Sequence, residues 1–489
     1  QCSSDEAFLG MLNRAIEHGL IDAGEARTIL NELAAATCDD KGGICAFNGS
    51  GNSSRTFVSA LGFVPPQAEL LIDAPATALV ARNVDCLFRL INRPEYAVCE
   101  ILSGNYANAI RVHNATGSSS NLMLHMPAVM RHAGFDVSLF DYEAICNEHP
   151  VPDIFAHSLT EHRDTHVLAQ QWLAGQHQGT ASIYKVLHAL RVPLDLDAPT
   201  VAGKSWGERL NEIEVAVSPE LPQERSVIRI HPVRDISGTD ILRGNFFSSC
   251  TLKVAGMATA QYERFNGHVF VVRYYENEQP CNDELRSGTL VDILADMPEL
   301  TPDLLAALRR FNGAPADQDI ATMIEHGTLS FAFVIAGQGP KAFGMPEMFA
   351  PSQYLRHHGV VEKTSIMMTD GRYSGVTKGA CVGHTVPEAF EGGGIGSLIN
   401  GDLLWVRLSE KRIDLLDRKA FLRGELQALA GPLFEPRQAL IASRQTRMAQ
   451  RQAQVAACSV MDNVSTAEYG VVPLAVHRRA TLAWRKNPK

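Results

Sequence analysis

Thr369-Asp370-Gly371-Arg372-Tyr373-Ser374-Gly375-Val376-Thr377-Lys378-Gly379-Ala380-Cys381-Val382-Gly383-His384-Thr385-Val386-Pro387-Glu388-Ala389 is the stretch on which the reading of this chain turns. It follows an apolar, β-prone run, Thr364 to Met368, that reads as a buried strand. Glycines then recur at Gly371, Gly375, Gly379 and Gly383. A polar loop punctuated by glycine at the end of a buried strand lets backbone approach a ligand closely. Within it Arg372 can fork onto a carboxylate, and Ser374 presents a hydroxyl between flexible neighbours. A plain glycine-rich turn is the alternative on composition alone, because glycine spacing by itself is a weak signal.

Around this stretch, 489 residues are more than one domain's worth of chain, and two domains are the natural expectation. A net charge of -10 argues against general binding to nucleic acid or an anionic membrane. No apolar run is long enough to span a bilayer, and no charged-then-apolar leader opens the sequence. Ten cysteines lie scattered without paired spacing, which fits reduced thiols in a cytoplasmic protein better than a disulfide framework. The first residue is Gln1, so the chain is expected to be processed, shortened or preceded by a further segment.

In chain order, residues 6–36 read as two helices, Cys38 to Asn52 as a glycine-studded loop, and Ser53 to Leu61 as the start of a helix. Helices are expected over Pro75–Ile91, Tyr106–His113, Asn121–His132, Ser138–Ile145 and Thr180–Leu190. Ser118 to Asn121 form the polar entry to one of these, where free N–H groups would suit an anion; a plain capping loop is the other reading. From Val227 strand-like runs take over: Val227–Ile230, Thr251–Ala255, His268–Tyr274, Leu329–Ala336, Ser365–Met368 and Leu403–Leu408. The expected fold is α/β: a helix-rich α/β N-terminal domain over 1–225, then a β-rich, barrel-like C-terminal domain over 226–489. Helices at Pro302–Arg310 and Asp319–His326 mark a helical insertion at about 281–327, and the C-terminal tail from Arg418 to Val455 is mostly helical.

Several stretches together carry a resemblance. Thr369 to Gly375 with Gly383-His384 and Pro387-Glu388-Ala389, Gly339-Pro340-Lys341-Ala342-Phe343-Gly344-Met345-Pro346-Glu347-Met348, Gly117-Ser118-Ser119-Ser120-Asn121 with His125, and Gly43-Ile44-Cys45-Ala46-Phe47-Asn48-Gly49-Ser50-Gly51-Asn52 occur in that family's order. So do Gly203-Lys204-Ser205-Trp206-Gly207-Glu208 and Leu242-Arg243-Gly244-Asn245. The set closely resembles the dihydroxyacid dehydratase and sugar-acid dehydratase family.

The resemblance implies a hydro-lyase that turns a 2,3-dihydroxy acid, an aldonate or a branched-chain dihydroxy acid, into a 2-keto acid. It implies an iron–sulfur cluster, 2Fe-2S or 4Fe-4S, with Cys45 as one ligand, and Mg²⁺ with Glu347 as one ligand. Ser374 takes the role of the base that removes the C2 proton. Ser119, Asn121, Arg372 and Gly375 fall at positions expected to bind the small-molecule substrate. A homodimer or homotetramer is expected in the cytoplasm. Without the resemblance, Cys45 reads as a buried small apolar residue and Glu347 as an ordinary helix-start carboxylate.

The sequence also departs from the family. About 150 further N-terminal residues, with two cluster cysteines and the rest of the magnesium site, are expected in relatives. Ala336-Gly337-Gln338 stands where the family has Arg-Tyr-Glu. One ligand for each centre does not hold either. Two further readings therefore stand beside the dehydratase: a split enzyme completed by a separate N-terminal subunit, which an exposed apolar face would favour, and a non-catalytic relative that only binds a ligand.

Overall fold

The computed structural model of the chain describes residues 11–13, 15–16, 18–37, 49–65, 68, 76–155, 179–212, 228–229, 231, 238–375, 377–430, 437–455 and 461–484. Contacts divide it into two units, one of residues 1–7, 27–239 and 476–489, the other of residues 8–26 and 240–475.

The second unit holds eight strands: β1 Asp240–Leu242, β2 Ser249–Leu252, β3 Val269–Tyr275, β4 Ser330–Ile335, β5 Ile366–Thr369, β6 Ala380–Val386, β7 Leu403–Arg407 and β8 Arg412–Leu415. They form one sheet in the order β1-β2-β6-β5-β4-β3-β7-β8. The four central strands, β3 to β6, run parallel, and the flanking pairs are antiparallel. Every residue of β4, β5 and β6 is buried, which is why these runs show continuous burial where a half-exposed strand would alternate. The two outer strands then meet. Arg243 pairs with Arg412, its N–H donates to the Lys411 carbonyl at 2.9 Å, and its carbonyl accepts from Ile413 at 2.9 Å. This bridge turns the sheet into a nearly closed barrel, the architecture expected from the strand-rich second half.

The Leu242-Arg243-Gly244-Asn245 motif makes that closure. A Cβ at Gly244 would overlap the Ile413 carbonyl oxygen, so only glycine lets the backbones approach. The Asn245 side chain accepts from the Leu415 N–H at 2.7 Å and donates to the Leu415 and Leu429 carbonyls at 2.8 and 3.0 Å. Asn245→Ala removes three hydrogen bonds at the seam. It is expected to lower stability by about 2–3 kcal/mol, read as a fall in the urea midpoint.

The helices between β3 and β4, Glu278–Leu285, Leu290–Ala295, Pro302–Asn312 and Ile320–His326, have a topological reason. Parallel neighbours cannot be joined by a hairpin; the chain must cross back over the sheet. Thr301 and Asp319 cap two of them, each accepting a backbone N–H, and glycines at 313 and 327 end them in left-handed conformation. The stretch expected as an insertion is thus the β3–β4 crossover of the barrel. The polar tail helix Gln438–Val455 packs on its own unit: Arg444 donates to the Gly396 and Leu398 carbonyls at 2.8 and 2.7 Å, and Arg447 pairs with Glu276.

The first unit is helical where it is described: Ser50–Ala60, Thr77–Leu90, Val98–Ala115, Leu122–His132, Leu139–Glu148, Thr180–Ala189 and Trp206–Glu212. Val98–Ala115 is its core helix, with everything from Asn108 to Ala115 buried. Ser138 starts its helix with a capping box through Asp141, as the sequence implies. The strand expected at Val227–Ile230 reduces, among the described residues, to a single bridge between Ile228 and Phe155. No helix among the described residues is long and apolar enough to cross a membrane.

Candidate active site

Two loops leave the carboxyl ends of neighbouring parallel strands in the barrel, where open α/β sheets commonly bind ligands. One follows β4 and carries Glu347; the other follows β5 and carries Arg372, Ser374 and Gly375. They are stitched together. Glu347 and Arg372 pair as an isolated bridge, the Arg372 N–H donates to the Pro346 carbonyl at 2.9 Å, and the Met348 N–H donates to the Arg372 carbonyl at 2.7 Å. The Arg372 Nε donates to the Met345 carbonyl at 2.7 Å. Met345 sits at φ 58°, a conformation costly for a side chain with a Cβ, and Arg372 helps to hold it there. Arg372 is therefore first a brace between the loops. Ser374 is half-buried and Gly375 buried.

Two buried carboxylates lie beneath these loops. Asp370 is fully buried and accepts N–H bonds from Gly337 at 3.1 Å, Gln338 at 2.8 Å and Ala389 at 2.9 Å. Glu388 accepts from Lys341 at 2.9 Å and Ala342 at 3.0 Å, at the start of the turn that leads to Glu347. A Cβ at Gly339 would overlap the Glu388 carboxylate, which explains that glycine. Three separate motifs, at 337–348, 369–375 and 387–389, are thereby fixed to one another.

Burial pushes the Asp370 carboxyl above its ordinary range, opposed by its three donors. Burial first, and then the nearby Asp370 charge, push Glu388 up to about 8. Unfolded, Glu388 titrates at about 4.3. Between those values the folded chain holds a proton that the unfolded chain has lost. Glu388 therefore contributes stability that is fully present below about pH 4.3 and lost as pH rises through about 8. Stability measured by urea from pH 5 to 9 should fall less steeply in Glu388→Gln than in the parent, the two curves diverging by a few kcal/mol.

β6 corrects the sequence reading. The whole stretch from Thr369 to Ala389 reads as loop, but Ala380–Val386 is a strand between β2 and β5. Gly383 and His384 belong to it. Gly383 gives room for the Tyr373 ring, which a Cβ would approach to 3.3 Å. His384, at φ 58°, lies where the β2–β6 register shifts, and its N–H donates to the Gly371 carbonyl at 2.9 Å.

In the first unit, Ser119 and Asn121 are buried and meet the helix Ser50–Ala60. Ser119 Oγ lies 2.9 Å from Ser50 Oγ, the Asn121 amide donates to Ser50 Oγ at 2.8 Å, and the Ser119 N–H donates to Ser53 Oγ at 2.9 Å. Of the N–H groups expected to await an anion, those of Ser118, Ser119 and Asn121 already donate, to the His113 carbonyl, Ser53 Oγ and Ser119 Oγ. His113 Nε2 donates to the Ser119 carbonyl at 3.0 Å, which leaves Nδ1 facing the Tyr142 hydroxyl at 3.0 Å. Cys45 lies outside the described residues.

Among the described residues no three His, Cys, Asp or Glu side chains converge as a metal would require. Glu347 alone does not hold Mg²⁺, and the described cysteines do not hold a cluster. Sequence reasoning missed Lys253, just after β2, whose ammonium donates to the Gly375 carbonyl at 2.6 Å. A single charge inside the apolar run Thr251–Ala255 was the available signal. It also missed the roles of Asp370 and Glu388, which need tertiary contacts to be seen.

A nearly closed mixed barrel, with its chemical side chains on loops between parallel strands, and a unit that is helical where described define an α/β protein. Comparison with known families makes this specific. Residues 11–209 match the dihydroxy-acid/6-phosphogluconate dehydratase N-terminal model and residues 311–469 the C-terminal model. The chain belongs to that family. It is 24% identical over 376 residues to a dihydroxy-acid dehydratase of Methanococcoides burtonii, covering 76% of this chain and 58% of the relative. It is 27% identical over 396 residues to one of Methanothrix thermoacetophila, covering 80% and 62%. A chloroplastic dihydroxy-acid dehydratase of Arabidopsis thaliana is 29% identical over 311 residues, covering 63% and 42%. The chain thus spans about three fifths of the length of the first two relatives.

Proposed function

We propose that this chain carries the base-bearing part of a hydro-lyase that converts a 2,3-dihydroxy carboxylic acid into a 2-keto acid. The observation that supports it is the convergence of Ser374, Arg372 and Glu347 on two loops stapled by Asp370 and Glu388. Ser374 Oγ, as the alkoxide, takes the proton from C2 as the C3–O bond breaks, and the departing hydroxide takes up that proton to leave as water and restore the alkoxide. The resulting enol gains a proton at C3 and becomes the 2-keto acid. Arg372 holds the Glu347 loop in register with the serine. The iron–sulfur cluster and Mg²⁺ that the resemblance implies belong to the proposal, with Cys45 and Glu347 as one ligand each. The described residues do not complete either site. Aldonates and branched-chain dihydroxy acids are the substrates to try, since a polyol pocket needs more hydrogen-bond partners than a branched-chain one. Formation of a 2-keto acid from either class by the anaerobically purified native protein supports this reading. No keto acid from any member of both classes, with iron and Mg²⁺ supplied, would contradict it.

A second reading, in which another chain completes the site, has one observation in its favour. The helix Thr77–Leu90 buries none of its residues, and Val80, Val84, Leu87, Phe88 and Ile91 are each 45–66% exposed. Such a row of large apolar side chains marks an interaction surface more often than bare solvent. The mass of the native particle decides it: a second, different polypeptide co-purifying in fixed ratio supports this reading, and its absence sinks it.

A further inference from the structure

The proposed base needs help that the loops themselves do not supply. A serine hydroxyl is a feeble base until something lowers its pKa and so favours the alkoxide. A positive charge held close by, in a site shielded from water, does this.

We propose that Lys253 is the positioning residue for Ser374: it fixes the Ser374–Gly375 turn and places its ammonium near the hydroxyl. The inference rests on reading Ser374 as the base. Lys253 is only 6% exposed, although lysine is rarely buried without a partner that repays its desolvation. Its Nζ donates to the Gly375 carbonyl at 2.6 Å, the residue next to Ser374. The lysine's own segment is tied to the same loop a second time, since the Gly379 N–H donates to the Gly256 carbonyl at 2.8 Å. A Cβ at Gly256 would come within 3.2 Å of the Thr377 carbonyl, so the two backbones run close together. Between those two points the Thr377 N–H donates to the Ser374 carbonyl at 3.0 Å and closes the turn. Lys253 therefore meets the loop at the residue where orientation of the serine is decided.

The polar groups facing this corner come from four elements, of which three supply ionisable ones. β6 contributes Cys381. The loop contributes Arg372, Tyr373 and Lys378. Helix Val361–Thr364 contributes Glu362, whose carboxyl lies 3.3 Å from where a Cβ on Gly379 would sit. Helix Thr259–Phe265 contributes the neutral Gln261, whose amide donates to the Glu362 carbonyl at 3.2 Å. Burial holds Cys381 and Tyr373 in their neutral forms.

The test reads charge at position 374 without needing turnover. Ser374→Cys places a thiol there, and its alkylation by iodoacetamide is followed against pH by peptide mass, in the parent and in Lys253→Gln and Lys253→Arg backgrounds. With Lys253 present, the thiol should ionise below the ordinary value of about 8.5. The neutral, hydrogen-bonding Lys253→Gln should slow alkylation at pH 7 about tenfold, and the charged Lys253→Arg should restore most of it. Thermal melting reports whether each variant folds; should Lys253→Gln not fold, the thiol's own ionisation in the parent and in Lys253→Arg decides. A thiol that ionises at its ordinary value with Lys253 in place, or one that titrates identically in Lys253→Gln, would overturn the inference. A wild-type protein that makes no keto acid would instead overturn the functional reading, and leaves this measurement intact.

Discussion

Ser374→Ala is expected to reduce kcat/KM for the 2,3-dihydroxy acid by about 10²–10⁴-fold, the range for losing a positioned acid–base group. The loss should fall on kcat, because a base acts in the transition state and adds little to ground-state binding. The fold should hardly notice. The loop is maintained through the Ser374 carbonyl, which accepts the Thr377 N–H at 3.0 Å, and alanine keeps that carbonyl. Half-burial of the side chain means that removing Oγ leaves no large cavity. A variant with unchanged melting and kcat near that of the parent would remove Ser374 from the chemistry. A raised KM with unchanged kcat would recast it as a binding group.

Asp370→Ala should have the largest effect on stability, a loss of about 3–5 kcal/mol. Alanine would strand three buried N–H groups, those of Gly337, Gln338 and Ala389. Each unsatisfied donor costs about 1–3 kcal/mol, and partial relaxation of the loops brings the sum into that range. Asp370 is also itself a costly group, since burial raises its carboxyl above the ordinary range. Its three donors help make the charge tolerable, so each side of the arrangement depends on the other. Asp370→Asn offers one oxygen to three donors and should cost less than alanine but more than 1 kcal/mol. Urea denaturation measures both, and limited proteolysis should show new cleavage between residues 336 and 347 in the alanine variant. Equal stability of parent and alanine variant would mean the three motifs are held together some other way.

The two expectations differ in how visible they were in the sequence. Ser374 and Glu347 stand in motifs whose order along the chain is enough to single them out. The strands β3, β4, β5 and β7 were legible because each is an apolar, β-branched or aromatic run of strand length. β6 was not, because Gly383 and His384 interrupt its apolar pattern and four regularly spaced glycines suggest a loop across the whole stretch. Only its position between β2 and β5 makes a strand of it. β1 and β8 are three and four residues long, too short for any periodic signal. The closure at Arg243 and Arg412 joins residues far apart in sequence, so no local pattern reports it. The same holds for Lys253, Asp370 and Glu388: their work is done on backbone groups of other segments. In the first unit, Ser119 and Asn121 were found by motif, but their engagement with Ser50 and Ser53 depends on how two helices pack.

Abstraction of the C2 proton of a 2,3-dihydroxy acid by Ser374 is the proposal on which the rest depends. It is tested most directly by incubating the anaerobically purified native protein with aldonates and branched-chain dihydroxy acids in D₂O, then analysing the product by mass spectrometry. The predicted result is a 2-keto acid carrying one solvent deuterium at C3, formed by the parent and lost in Ser374→Ala. A keto acid formed equally well by the Ser374→Ala protein would contradict the account, and so would product without solvent deuterium.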